Sequence, residues 1–213
     1  MYKRLLLAVS IIIASTILFW YFTVFQEAFY DVVIFFEKYV RQNELLGLLI
    51  FLLIAILSAL LSPLTNVPLI PIAVALWGVF PTMIILFVGW LIGDIIAYYI
   101  GRYIGGPLFR YIISAKRFDK WVGEIQRHTR FYMLLLLRVA LPAELGYAFG
   151  IMRYPFLKYM LITFLAEIPF VLITTYASEA ILEGNRLEFF SLVAILIVIF
   201  WGAMHIIKKE KTR

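Results

Sequence analysis

The 213-residue sequence contains no cysteine and only two histidines, His128 and His205. Without thiols there is no disulfide, no thiolate metal site and no cysteine nucleophile. Two histidines far apart in sequence do not supply the ligand set that a metal ion needs, and no cofactor is indicated. Charge is also scarce: 15% of residues are charged, whereas 64% are hydrophobic. Soluble domains average about 25% charged and about 45–50% apolar residues. A soluble globule of this size cannot hide so much apolar surface. An ordinary cytosolic enzyme, a disordered chain and a nucleic-acid-binding domain are thereby excluded. The apolar runs are long rather than alternating, which indicates an all-α integral membrane protein and not a β-barrel. The net charge of +6 is read as positive-inside topology and contact with anionic lipid headgroups.

Lys3 and Arg4 precede an apolar stretch from Leu5 to Phe25, close to the roughly 20 residues a spanning helix needs. Signal-peptide cores are shorter and end at small residues. This run ends in Trp20, Tyr21, Phe22 and Phe25, which suit an interfacial anchor. Residues 26–44 then read as an amphipathic interfacial helix: Glu27, Asp31, Lys38, Arg41 and Glu44 oppose Phe29, Val32, Val33, Phe36 and Val40. Pro107–Arg130 is a second amphipathic segment, strongly basic. Spanning helices are expected over Pro81–Ile104, over Pro155–Leu182 with a kink at Pro169, and over Phe189–Ile207.

Two apolar blocks are broken. Leu45–Phe80 contains Pro63, Pro68 and Pro71 with Thr65 and Asn66 between them, and Gly78 near its end. Phe131–Tyr154 is interrupted at Pro142 and carries Gly146 and Gly150. A straight helix is disfavoured through such prolines. The basic groups cluster at the N-terminus, in the middle linker and at the C-terminus. All three fall in the cytoplasm if each broken block enters and leaves on one side, leaving about four spanning helices. If Leu45–Leu61 spans alone, either the linker or the N-terminus is on the wrong side. The expected organisation is therefore residues 1–44 as a spanning plus an amphipathic helix, a core over 45–182, and a last span with a basic tail over 183–213. Irregular backbone at membrane depth must be buried in protein or line a wet cavity, so function is sought at the breaks.

The blocks form an internal repeat within the core, 45–105 and 131–182, joined by the linker 106–130. Pro71, Gly78 and Pro81 echo Pro142, Gly150 and Pro155, and a spanning helix follows each set. Each of these helices places an acid, Asp94 or Glu167, at nearly the same depth. The topology makes the repeats opposite in orientation, an architecture found in many secondary transporters. Asp94, Arg138, Glu144 and Glu167 all lie inside apolar blocks, where each costs at least about 2.5 kcal/mol at the bilayer centre. They should face a cavity or one another. Arg138 is the strong cation among them, and a guanidinium fork matches phosphate oxygens. Gly89, Gly93, Ala97 and Gly101 recur every four residues, a small-residue face that lets membrane helices approach closely. Arg102, near a helix end, can snorkel to the headgroups.

Enzyme motifs are wanting. Gly93–Asp94 is similar to part of the Gly-x-Gly-Asp of intramembrane aspartyl proteases, but position 91 is Leu and no second deep aspartate completes a dyad. Neither Gly-x-Ser-x-Gly nor His-Glu-x-x-His occurs.

The stretch Gly89–Gly106, GWLIGDIIAYYIGRYIGG, resembles the first conserved block of the DedA family, also called VTT-domain or SNARE-associated Golgi proteins. Leu137–Pro169, with Arg138, Gly150, Arg153, Phe156, Thr163 and Pro169, resembles the second. The likeness covers roughly residues 45–182 and is nearest the TVP/TMEM-like branch. It implies two facing re-entrant segments and movement of lipids between leaflets: polyprenyl phosphate carriers in bacteria, phospholipids in eukaryotic relatives. Membrane-embedded acids and arginines are essential in the family, and Asp94 and Arg138 match such positions. The chain departs from the family at Glu144, where many bacterial members carry a second arginine. It also departs in the uncharged Pro63–Phe80 segment, and near Glu167, where glycine is common.

The expected function is a flippase- or scramblase-like transporter of an anionic lipid such as undecaprenyl phosphate or a phospholipid. Arg138 would engage the phosphate, while Asp94, Glu144 and Glu167 handle protons. A proton- or ion-coupled solute transporter and a non-transporting membrane scaffold are the alternatives. The expected location is the inner membrane with both termini cytoplasmic. The partners are membrane lipids and protons, not nucleic acid, with a homo-oligomer left open.

Overall fold

The computed structural model describes residues 40, 42–61, 66–104, 123, 131–140 and 145–211. The first expected span, most of the 26–44 amphipathic segment, the basic linker, Pro63, Pro142 and Glu144 lie outside the described residues. Every regular element within them is helical: α1 (Glu44–Leu60), a 3-10 turn (Val67–Leu69), α2 (Ile70–Trp77), α3 (Val79–Tyr103), α4 (Phe131–Ala140), α5 (Leu145–Ile151), α6 (Phe156–Leu182) and α7 (Arg186–Lys211). Three of them, α3, α6 and α7, are long and apolar enough to cross a membrane.

Local chemistry sets the boundaries. The Asn43 side chain caps α1 by accepting from the Leu46 amide at 3.2 Å. Pro68 and Pro71 stand in the first turns of the 3-10 segment and α2, where a missing N–H costs nothing. Gly78 at φ 82° separates α2 from α3, a conformation that disfavours a side chain. Because that glycine makes the break, α3 begins at Val79 rather than at Pro81, and Pro81 is absorbed in its first turn. Asn185 and Glu188 form a reciprocal cap on α7: Nδ2 of Asn185 donates to Glu188 Oε2 at 2.8 Å, and its Oδ1 accepts from the Glu188 amide at 3.3 Å. That cap starts α7 at Arg186, three residues before the expected Phe189. Helix α6 continues through Pro169.

The helix directions follow from their neighbours. A Cβ on Gly89 would meet Ala55 and Leu52, and one on Gly93 would meet Ile56 and Ala59. The numbers rise together, so α1 and α3 run parallel and the chain between them doubles back along α3. Tyr98 stacks on Tyr159 at 5.0 Å and Phe87 meets Phe164 at 5.1 Å. Here the numbers run in opposite senses, so α3 and α6 are antiparallel. A tight turn over Glu183–Asn185 reverses the chain into α7. Tyr132 Oη donates to Glu210 Oε1 at 3.1 Å, which seats the start of α4 beside the end of α7 and hence the start of α6. Helix α4 therefore runs parallel to α6, and the chain doubles back before α6 as well.

Each half thus holds a first helix, a short returning helix and a long helix. The short helix of each half packs on the long helix of the other: α2 on α6, and α5 on α3. The small-residue face of α3 makes this possible. Gly89 and Gly93 admit α1, whereas Gly101 admits the Tyr147 backbone of α5. Gly150 answers from α5, lying against the Tyr98 carbonyl and the Arg102 amide. The largest core cluster, around Tyr98, Leu137, Phe149 and Tyr159, fills the space between α3, α4, α5 and α6.

A Cβ at Gly150 would strike the Tyr98 carbonyl oxygen, and backbone cannot yield as a flexible side chain does. Gly150→Ala should therefore destabilise the detergent-solubilised protein by about 1–3 kcal/mol or more in thermal unfolding. Gly202→Ala, where nothing lies within 4 Å, should leave the midpoint unchanged or raise it.

Candidate functional site

Three of the apolar-block charges meet. Arg138 lies in the last turn of α4, Asp94 midway along α3 and Glu167 midway along α6. Arg138 Nη2 donates to Asp94 Oδ2 at 2.7 Å and to Glu167 Oε1 at 2.6 Å. Asp94 is fully buried and Arg138 is 4% exposed, whereas the Glu167 side chain keeps 11%. Glu167 is therefore the member of the cluster nearest an opening. Asp94 sits between Gly93 and Ala97 on the close-packed face of α3, so the glycine packing that seats α1 and α5 also fixes this carboxylate. Tyr159, one helical face with Glu167, donates its hydroxyl to the Asp94 backbone carbonyl at 3.0 Å and ties α6 to α3 at the same level.

One nitrogen of the guanidinium serves both acids. Arg138 Nε and Asp94 Oδ1 are buried without a hydrogen-bond partner among the described residues. The cluster therefore holds unused donor and acceptor capacity beside a strong cation, where an anion or a proton carrier has groups to bind. Counted formally, two carboxylates and one guanidinium carry −1, and a single added proton makes the cluster neutral. Burying such a group is expensive unless its members stay paired. Among the described residues no group of three or more His, Asp or Glu is arranged to hold a metal.

The other expected site residues are placed differently. Arg102 is exposed at the end of α3, eight residues or about 12 Å along the helix from Asp94. It donates through Nη1 to Tyr98 Oη at 2.9 Å, and Tyr98 in turn donates to the Tyr154 carbonyl. Arg102 thus belongs to an aromatic rim and not to the buried cluster. Glu144 lies outside the described residues. Gly146 and Gly150 are packing positions on α5, and Gly78 is the hinge between α2 and α3. An apolar cavity of about 230 Å³ between α1 and α2, lined by residues such as Ile50, Phe51, Ile72 and Trp77, includes none of the charges.

Sequence reasoning missed Tyr147 and Tyr159. Tyr147 Oη donates to the carbonyl of Leu60 at 2.9 Å, which links the broken end of α1 to α5 of the other half. Nothing separates these two from the 13 tyrosines of the chain except, for Tyr159, a spacing of eight that places it on the Glu167 face.

The family model for the VTT domain matches residues 64–180, more than half of the chain. The chain belongs to the VTT-domain family. This is the DedA/SNARE-associated family domain. The matched span of the VTT domain contains Asp94, Arg138 and Glu167 and ends before α7. No curated protein and no solved structure matches the chain.

Removing the cation strands two carboxylates in the VTT core. Arg138→Ala should cost about 3–5 kcal/mol of stability, read as a lower unfolding midpoint in detergent. The triple variant Asp94→Asn, Glu167→Gln, Arg138→Met should recover part of that loss. Tyr147→Phe should cost about 1–3 kcal/mol by taking the hydroxyl donor from the Leu60 carbonyl.

Proposed function

We propose that this VTT-domain protein moves an anionic lipid, an undecaprenyl phosphate or a phospholipid, between the leaflets of the inner membrane. The observation that carries the reading is the sharing of Arg138 between Asp94 and Glu167 where the two halves meet. Intramembrane charges are by default functional, and this one is a phosphate-matching fork held by acids that a proton can neutralise. In one state the guanidinium is bound by carboxylates. In the other it binds a headgroup phosphate, and the acids carry protons in place of the cation. Exchange between the two couples headgroup entry to proton uptake. Glu144, in the sequence that joins α4 to α5, is a further proton carrier in this reading.

The doubling back of the chain before α3 and before α6 is read as two re-entrant hairpins entering from opposite faces, an inverted repeat. Helix α1 supports this, since its 17 residues reach about 25 Å, short of the roughly 30 Å hydrocarbon core. The lipid tail stays in the membrane along the apolar outer surface, where Leu157, Leu161, Ile197 and Val198 are exposed. Orientation follows from charge. The end formed by the α3 C-terminus and the α6 N-terminus bears Arg102, Arg153, Lys158, Lys208 and Lys209 against Glu210, whereas the opposite end bears Glu44, Glu179, Glu183 and Glu188 against Arg186. The positive-inside rule assigns the basic end, and with it the C-terminus, to the cytoplasm. The two sequence blocks favour the TVP/TMEM-like branch.

Leaflet exchange in proteoliposomes tests the reading. Wild type should exchange labelled phospholipid or a short polyprenyl phosphate, with the rate responding to a pH gradient, and Arg138→Ala should not. Absence of exchange of either lipid by folded protein would turn the assignment towards solute transport or a scaffold. Asp94→Asn or Glu144→Gln should abolish the pH dependence; an unchanged profile in both would refute proton coupling.

A further inference from the structure

The two sides of the charge cluster differ in polarity. Towards the basic end lie the rings of Tyr98, Phe149, Phe156 and Tyr159, packed at centroid distances of 5.0–5.3 Å. Three tyrosine hydroxyls on this side are committed to backbone: Tyr159 to Asp94, Tyr98 to Tyr154 and Tyr147 to Leu60. Among the described residues, apolar contact and these satisfied hydroxyls leave little to hold water next to the cluster.

The acidic-end side is built otherwise. Asn66 is 2% exposed and Thr82 is fully buried. Asn66 Nδ2 and Thr82 Oγ1 have no hydrogen-bond partner among the described residues. Thr163, one turn before Glu167 on α6, lies at the level of the cluster beside Tyr159 and belongs to neither side. Asn66 begins the 3-10 turn that leads into α2, and the two together rise about 18 Å, which brings Asn66 towards the depth of Asp94. Thr82 is in the first turn of α3, close to the acidic end. Further out on α6, Thr175 and Ser178 are buried and bonded only to carbonyls of their own helix, Val171 and Leu172 for Thr175 and Thr174 for Ser178. Each hydroxyl oxygen keeps acceptor capacity. These groups come from the 3-10 turn before α2, from α3 and from α6, and α2, α3 and α6 pack on one another. Buried polar groups without protein partners are ordinarily hydrated.

We infer that Asn66, Thr82, Thr175 and Ser178 line a water path that joins the Arg138 cluster to the acidic end of the protein, while the aromatic packing seals the cluster from the basic end. The inference rests on the transport reading of the cluster and adds to it a direction: protons and water reach Asp94 and Glu167 from one side in this state. Among the described residues, the titratable and charged groups at the inner end of the path are Asp94 from α3, Arg138 from α4, and Glu167 and Tyr159 from α6. Helix α2 contributes none.

The absence of native cysteine makes the test direct. Asn66→Cys, Thr82→Cys and Thr175→Cys are compared with Ala148→Cys, a fully buried position in the aromatic core. Silver ion is applied to reconstituted vesicles from either face, and unreacted thiol is then counted with a maleimide after denaturation. Silver from the acidic-end face should abolish later maleimide labelling at the three path positions and not at Ala148. Silver from the basic-end face should leave all four labelled. Protection at Ala148, protection from the basic-end face, or full labelling at all path positions from both faces would overturn the path. Should Asn66→Cys fail to fold, Thr82→Cys and Thr175→Cys carry the same comparison. Lipid exchange measured on the same vesicles separates the two ideas: exchange with unprotected thiols sinks the path alone, and protected thiols without exchange sink the lipid assignment alone.

Discussion

The described helices are arranged around one guanidinium that has two carboxylates to satisfy. Arg138 comes from α4 and its partners from α3 and α6, so the ion cluster can form only where both halves of the chain meet. Each member is intolerable in hydrocarbon alone, and each pairing is made across a helix interface. The cost of burying charge is therefore converted into a requirement on tertiary structure: the three helices must cross at this point or leave a bare ion. Hydrophobic burial cannot enforce such a point, because lipid tails are as apolar as the side chains they would replace.

Close approach of backbones is the second constraint, and it serves the first. Helix α3 is lined by small residues at one end for α1 and at the other for α5, and Gly150 lets α5 rest on the α3 backbone itself. Dispersion falls off steeply with separation, so contact at this range supplies the packing energy that the hydrophobic effect does not. Asp94 lies within that strip and inherits its rigidity. The aromatic core beyond it, with its hydroxyls turned onto carbonyls, shows how polar atoms are tolerated at depth: each is given a backbone partner.

How far this was readable from the sequence depended on the kind of signal. Long apolar runs marked α3, α6 and α7, because span length is a property of the bilayer and needs no tertiary knowledge. Their ends shifted by a few residues wherever a glycine or a side-chain cap, rather than a proline, stopped the helix, as at Gly78 and Asn185. Asp94, Arg138 and Glu167 were conspicuous because a charge in an apolar run has few ways to be satisfied. That they share one nitrogen was not legible, since it depends on how α3, α4 and α6 cross. Arg102 looked equivalent by type but lies in the aromatic rim. Tyr147 left no trace and Tyr159 only its spacing from Glu167, because a tyrosine in an apolar segment is equally at home in a core or at an interface, and only the partner carbonyl distinguishes the two.

The bond from Tyr147 to Leu60 spans 87 residues of sequence, and that from Arg138 to Asp94 spans 44. A ribosome adds about 5–20 residues per second, so the first half emerges seconds before the groups that complete it. During that interval α1 ends on an open carbonyl and Asp94 has no cation. Releasing the first half into bare lipid alone leaves both groups unpaired, at a cost of about 2.5 kcal/mol or more for the acid. The insertion machinery or nearby water is where they can be satisfied until the second half arrives. Biogenesis of this protein is a delayed union of two incomplete pieces, and its timing is written in the sequence distance between charges.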